Sequence, residues 1–199
     1  MALDPAGAQK TMIRPIFLSA LLWGYLSACI IDDGSGDGYF KTHDTPIDRL
    51  KPSSTDMFSY PATVRAVIDG DTLEVLYENE KLRIRLKGLD TPELTKCSPC
   101  PQRFAQNAKQ IVWNAIGNSV VGLEFDSQCA AFPLENCRDM YDRVLSYVRL
   151  PGDIDLGEEL IVRGLARVYR YNNETFDRLS PYTTAQNIAK SNQQGIWSP

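Results

Sequence analysis

Between Val67 and Glu93 the chain reads Val-Ile-Asp69-Gly70-Asp71-Thr72-Leu-Glu-Val and then Leu-Arg-Ile-Arg85-Leu-Lys-Gly88-Leu-Asp90-Thr91-Pro-Glu93, two short strands edged by acidic residues with a basic row between them. Asp69-Gly70 is a tight-hairpin signal, and Leu73 and Val75 alternate with polar neighbours as the chain leaves the turn. In the next strand Leu82, Ile84 and Leu86 occupy one face. Arg83, Arg85 and Lys87 must then occupy the other, because side chains alternate with period two. The strand ends at Gly88, so Asp90, Thr91 and Glu93 fall in the turn after it. If consecutive strands pair, that turn lies beside Asp71.

Carboxylates held next to arginines on a β scaffold point to a metal that grips a phosphate. Asp71, Asp90 and a backbone carbonyl of the second turn are hard oxygen donors that suit Ca²⁺, whose flexible shell water completes. Glu93, three residues after Asp90, is not needed as a ligand and can hold and deprotonate an attacking water. Arg85 would face the phosphate. Zinc is a poor fit, because the only histidine is His43 and no His/Cys set has zinc-site spacing. Either motif alone is weak, since Asp-Gly-Asp also serves any hairpin and Asp-Thr-Pro-Glu any helix entry. His43-Asp44-Thr45-Pro46 repeats the triplet where no strand precedes it.

A third segment, Asp139-Met140-Tyr141-Asp142-Arg143, opens another alternating strand. With it, the order of parts resembles the staphylococcal nuclease (thermonuclease) family over about residues 60–198. The matching segments are Ile68 to Thr72, Arg85 with Leu89 to Glu93, Tyr141-x-Arg143, Glu159 to Ala166, and Gly195 to Ser198. The resemblance implies an α+β, mainly β fold, a five-stranded OB-type barrel with three helices. Strands are expected near 62–68, 72–78, 82–88, 119–126 and 143–150. One helix follows Pro101 and buries Phe104, Ala108, Ile111, Val112 and Ala115. A second starts at the capping box Asp155-x-x-Glu158 and stops at Gly164, and a third runs over 180–195.

Carried over position by position, the resemblance implies Ca²⁺ ligation by Asp71, Asp90 and the Thr91 carbonyl, with Asp69 behind them. It implies Glu93 as general base, Arg85 and Arg143 on the scissile phosphate, and Tyr141 near the terminal phosphate of a bound nucleotide. Tyr169 and Tyr171 lie where the family places base-stacking tyrosines. Two positions depart from the pattern: Asp142 stands where the family often has glycine, and Met140 where a lysine is common. The implied activity is Ca²⁺-dependent hydrolysis of nucleic acid to 3′-phosphates, on DNA with RNA left open.

The chain carries a net charge of −4 and a sequence pI near 5.1, so general attraction to phosphate is weak and binding falls to local arginines and the metal. Ile16 to Leu26 is an apolar run after Arg14, too short for a membrane span, ending Leu26-Ser-Ala-Cys29 as in the lipobox of bacterial lipoproteins. The expected plan is a lipoprotein signal peptide over 1–28, acylation of Cys29, a flexible Gly/Asp/Ser-rich tether over 29–59 and the nuclease-like domain over 60–199. That plan places the protein in a bacterial cell envelope, held to a membrane by its lipid.

Cys97, Cys100, Cys129 and Cys137 then remain to form two disulfides, with three pairings open. Two rival functions compete: a barrel that binds nucleic acid without catalysis, and a thiol-disulfide redox protein using Cys97-Ser-Pro-Cys100 ahead of a helix. Joint retention of Asp71, Arg85, Asp90, Glu93 and Arg143 argues against the first. The missing parallel βαβ pattern argues against the second.

Overall fold

The computed structural model describes residues 58–95, 99–129 and 133–199. The signal peptide, Cys29, nearly all of the tether, and Cys97 lie outside the described residues. Strands β1 (Pro61–Asp69), β2 (Thr72–Tyr77) and β3 (Glu80–Leu86) form an antiparallel meander. A two-residue strand β4 (Leu89–Asp90) follows, then helix α1 (Ala105–Ile116), strand β5 (Val120–Glu124), a single helical turn α2 (Pro133–Asn136) and strand β6 (Val144–Leu150). β1 pairs with β5, β5 with β6, and β6 runs parallel to β3 through Ile84–Val144 and Leu86–Ser146, which closes a five-stranded barrel. Closure leaves no long sheet edge among these five strands.

The predicted alternation holds in β3, where Ile84 and Leu86 are buried in the barrel and Arg83, Arg85 and Lys87 face away. Val64, Leu73, Val75, Leu123 and Val148 complete the interior, and α1 lays Ala108, Ile111, Val112 and Ala115 against it. The first turn differs in detail from expectation. Asp69 pairs with Thr72, so Gly70 and Asp71 are the turn residues. Gly70 is needed there for close approach: a Cβ would sit 3.0 Å from Ala108 Cβ and 3.0 Å from Thr91 Oγ1. At Gly88 both reasons operate, with φ of +82° and a Phe176 ring 2.5 Å from where a Cβ would stand. That reversal sends the chain from β3 into the Asp90 turn.

The first helix starts later than Pro101. Phe104 has φ of 69°, a left-handed conformation that cannot continue a helix, so α1 opens at Ala105. Phe104 therefore caps the helix, where the spacing had placed it in the buried stripe. This correction also weakens the redox reading, because Cys100 lies outside the first turn of α1, where the helix dipole would lower a thiol pKa. The pairing left open is settled in one case by a bridge between Cys129 and Cys137.

Beyond the barrel come β7 (Ile154–Asp155), α3 (Leu156–Val162), β8 (Arg167–Val168) and α4 (Leu179–Ser191). Asp155 caps α3 as its sequence predicts, accepting from Glu158 N–H at 3.0 Å. The last helix ends at Ser191, short of the expected 195, and Gly195–Trp197 forms a separate 3₁₀ turn. Asp155 also accepts from the buried Tyr182 hydroxyl at 3.0 Å and pairs with Arg178, which in turn pairs with Glu124 beside Arg149. One ionic cluster thus fastens α3 and α4 to the barrel wall. Burial opposes ionisation of Glu124, but the two guanidiniums outweigh it and hold the carboxyl below its usual range.

Candidate active site

The hairpin turn, the β3–β4 reversal and the loop before β6 meet at one end of the barrel. Asp71 is nearly buried and fully engaged. Its Oδ2 accepts from Thr91 N–H at 2.9 Å and from Thr91 Oγ1 at 3.1 Å, and its Oδ1 accepts from Thr72 Oγ1 at 3.1 Å. Arg85 lies between the two aspartates: Nη1 is 2.6 Å from Asp71 Oδ2 and Nη2 is 3.2 Å from Asp90 Oδ1. Asp71 and Arg85 are brought together because β2 and β3 pair in register, Thr72 opposite Arg85.

Arg143 reaches the same place from the start of β6. Its Nη1 donates to Thr72 Oγ1 at 3.3 Å, while its Nε donates to Asp139 Oδ2 at 2.7 Å. Asp139 Oδ1 accepts from the backbone N–H groups of both Tyr141 and Arg143, so this carboxylate builds the turn and aims the arginine at once. Burial alone would raise the Asp139 carboxyl, but those hydrogen bonds prevail and hold it below the usual range. The unexpected Asp142 is turned outward, where its carboxylate and carbonyl accept from Arg138 instead of from Arg143. Met140 is exposed.

Glu93 sits after β4, its N–H bonded to the Gln102 side chain and its carbonyl to Gln102 N–H, which ties the Asp90–Glu93 turn to the approach to α1. Burial pushes the Glu93 carboxyl above its usual range, and the charges of Asp71, Asp69 and Asp90 push it further against the pull of Arg85. Three aspartates therefore act electrostatically on one glutamate. Such an accumulation of negative charge favours a cation.

Among the described residues no three His, Cys, Asp or Glu side chains cluster as a ready-made metal cage. What exists is two carboxylates, Asp71 and Asp90, converging on one guanidinium charge. That donor set fits a hard cation that takes few protein oxygens and keeps water. Thr91 is buried beside them, its N–H and hydroxyl both committed to Asp71.

A cleft of about 560 Å³ opens beside these groups. Arg85, Asp90, Arg143, Tyr141, Tyr169 and Tyr171 all line it, so the three tyrosines singled out from the sequence are gathered at one opening. Asp69 is half-buried at the end of β1, within electrostatic reach of Glu93. Sequence reasoning missed Arg167, whose Nη2 is 2.8 Å from Asp90 Oδ2. It faces Asp90 because β8 pairs with β4, Arg167 opposite Asp90, a contact no local pattern announces. It also missed Asp139, although the spacing to Arg143 is a turn in which one carboxylate serves two N–H groups.

A family model described as "Staphylococcal nuclease homologue" matches residues 83–199. The chain belongs to the staphylococcal nuclease family. Within that family it is 31% identical over 186 residues to the "Thermonuclease" of Staphylococcus intermedius, covering 94% of each chain. It is 33% identical over 139 residues to "Endonuclease YncB" of Bacillus subtilis, where the match takes in 68% of this chain and 61% of the length of the relative. A third relative, the "Uncharacterized protein MJ1439" of Methanocaldococcus jannaschii, is 28% identical over 210 residues, 95% of this chain. The closed barrel agrees with the fold expected of the family, and the residues singled out from the sequence, Asp71, Arg85, Asp90, Glu93 and Arg143, lie around one end of it.

Proposed function

We propose that this protein is a Ca²⁺-dependent nuclease that hydrolyses phosphodiester bonds in DNA, with RNA left open as a second substrate. The observation that carries the reading is the convergence of Asp71 and Asp90 on one charge, with Arg85 and Arg143 beside it at the mouth of a tyrosine-lined cleft. Relatives named endonuclease and thermonuclease support a nuclease hydrolase over a barrel that only binds.

Asp71, Asp90 and the Thr91 carbonyl would hold Ca²⁺, which when bound supplies positive charge to the phosphate under attack. The chain does the rest. Glu93 takes the proton of the attacking water. Arg85 and Arg143 present guanidinium forks to the phosphoryl oxygens as charge accumulates on them, an electrostatic contribution of the kind that dominates such reactions. Thr72 and Asp139 hold Arg143 in that pose, Tyr141 stands by the terminal phosphate of the bound nucleotide, and Tyr169 and Tyr171 offer ring faces to bases. End-group analysis of the products tests the direction of cleavage. Oligonucleotides ending in 3′-phosphate are expected; 5′-phosphate ends would overturn the assignment of which ester bond breaks.

The reading includes export and anchoring by acylated Cys29, supported by the apolar run and lipobox-like Leu26-Ser-Ala-Cys29. A short signal leaves acyl chains as the strong anchor. Fractionation of cells making Cys29→Ser should move the protein from membranes to the soluble fraction, and continued membrane association would contradict the anchor.

A further inference from the structure

The basic row of β3 continues just past the end of the strand at Leu86. Lys87, the next residue on the same face, lines the cleft too, with its side chain only 12% exposed, whereas Tyr141 at the rim is 70% exposed. Across from it stands Glu174, also in the lining, with Oε1 3.7 Å from Lys87 Nζ. At that separation the two heads attract one another without the short, directed bond that would use up their capacity. An ammonium has three donors and a carboxylate about four acceptor positions. The cleft therefore presents a cationic donor and a two-oxygen acceptor side by side, beneath exposed aromatic rings.

The main chain around Glu174 is held in place. Asn172 and Asn173 have φ of 46° and 60°, and Glu174 N–H donates to Tyr171 carbonyl at 2.9 Å, so the segment turns tightly toward the cleft. Arg170 Nε donates to the Glu174 carbonyl at 2.9 Å, and its Nη2 bonds the Asn173 carbonyl. On the far side Gln128 donates to the Thr175 carbonyl at 3.1 Å, and buried Asp126 accepts from Asp177 N–H at 2.9 Å. With the main chain fixed on both sides, the Glu174 carboxylate, 44% exposed, stands in the cleft beside Lys87 and open to a ligand.

We propose that Lys87 and Glu174 read the edge of a nucleobase in this cleft and select guanine. The inference rests on the nuclease reading above for its substrate. Guanine alone among the bases offers two adjacent N–H donors, N1–H and N2–H, on its Watson–Crick edge, and both Glu174 oxygens can accept from them. Its O6 acceptor lies next to N1–H, where Lys87 donates. Adenine, cytosine and thymine each offer a carboxylate one donor on that edge and set an acceptor against its second oxygen. A base unstacked from its strand exposes this edge, and bidentate pairing to it discriminates strongly. The family pattern assigns neither residue.

The test uses the full-length chain on a random pool of single-stranded DNA with Ca²⁺, sequencing the product ends, beside binding titrations with the four deoxynucleoside 5′-monophosphates. Guanine should be enriched at one nucleotide flanking the cut by roughly fivefold or more, and dGMP should bind tightest by a similar factor. E174Q should erase both preferences, because an amide offers one donor and one acceptor and cannot accept from both adjacent N–H groups of guanine. K87M should weaken guanine selection at the cut relative to the other bases. Base frequencies within one digest are independent of total activity, so a slow variant still reports. Cleavage without guanine enrichment, or enrichment unchanged in E174Q, overturns the proposal. Preferential dGMP binding without any cleavage would sustain it and overturn the nuclease reading instead.

Discussion

Arg85→Ala should lower turnover by about 10²-fold or more while leaving Ca²⁺ affinity unchanged or tighter. The first effect follows from losing a guanidinium placed where charge develops on the phosphate, a loss of the size seen on deleting an oxyanion stabiliser. The second follows from position: Arg85 sits between Asp71 and Asp90 and its charge competes for the same oxygens a cation would take. Removing it leaves two carboxylates facing one another, so the variant should be destabilised in chelator and recover with Ca²⁺ by mass action. Lysine should rescue poorly, because a single ammonium cannot span both aspartates from two separate nitrogens. Calorimetric titration beside steady-state kinetics separates the terms. Near-normal turnover in Arg85→Lys would remove Arg85 from the phosphate site, and loss of Ca²⁺ binding in Arg85→Ala would show that it organises the metal site instead.

The largest effect on stability is expected at Asp155, far from the chemistry. This carboxylate is 6% exposed, caps α3, accepts from the Tyr182 hydroxyl and faces Arg178. Alanine would leave Arg178 without one of its carboxylate partners and strand the Tyr182 hydroxyl, a combination that costs on the order of 3–5 kcal/mol. For a domain whose whole stability is about 5–15 kcal/mol, that is a large share. The urea midpoint should fall by about 1 M or more at unchanged slope. A carboxamide oxygen in the place of Oδ1 can still cap the helix and accept from the Tyr182 hydroxyl, so Asp155→Asn should recover those two shares, about 1–2 kcal/mol, and lose only the pairing with Arg178. A midpoint within about 0.2 M of wild type in Asp155→Ala would mean that the cluster contributes nothing net.

How far the sequence revealed this structure depends on the range of the forces involved. Period-two alternation in 82–88 correctly placed Arg85 outside the barrel and Leu86 inside, because burial on one face is a local signal. The meeting of Asp71 with the Asp90 turn followed from simple pairing of neighbouring strands. Arg167 was invisible because its place beside Asp90 comes from a two-residue strand pair joining distant segments. The late start of α1 was invisible for another reason. Phe104 favours burial by composition, yet here it adopts a left-handed backbone, with Arg103 stacked over its ring at 4.5 Å and held by the C-terminal Ser198 and Pro199. Gly70, which the sequence offers as half of a hairpin signal, also permits close contact with Ala108 and Thr91. Turn chemistry and close packing ask for the same residue there, and only the packed structure separates them.

That two aspartates and two arginines at the barrel mouth hydrolyse nucleic acid with a calcium ion is tested most directly by one rate. The measurement is degradation of single-stranded DNA by the purified chain in Ca²⁺, in Mg²⁺ and in excess chelator, with Asp71→Ala and Asp90→Ala alongside. Rapid degradation in Ca²⁺, little in Mg²⁺, none in chelator and sharp loss in both variants is the predicted result. Full activity in excess chelator would contradict the metal mechanism.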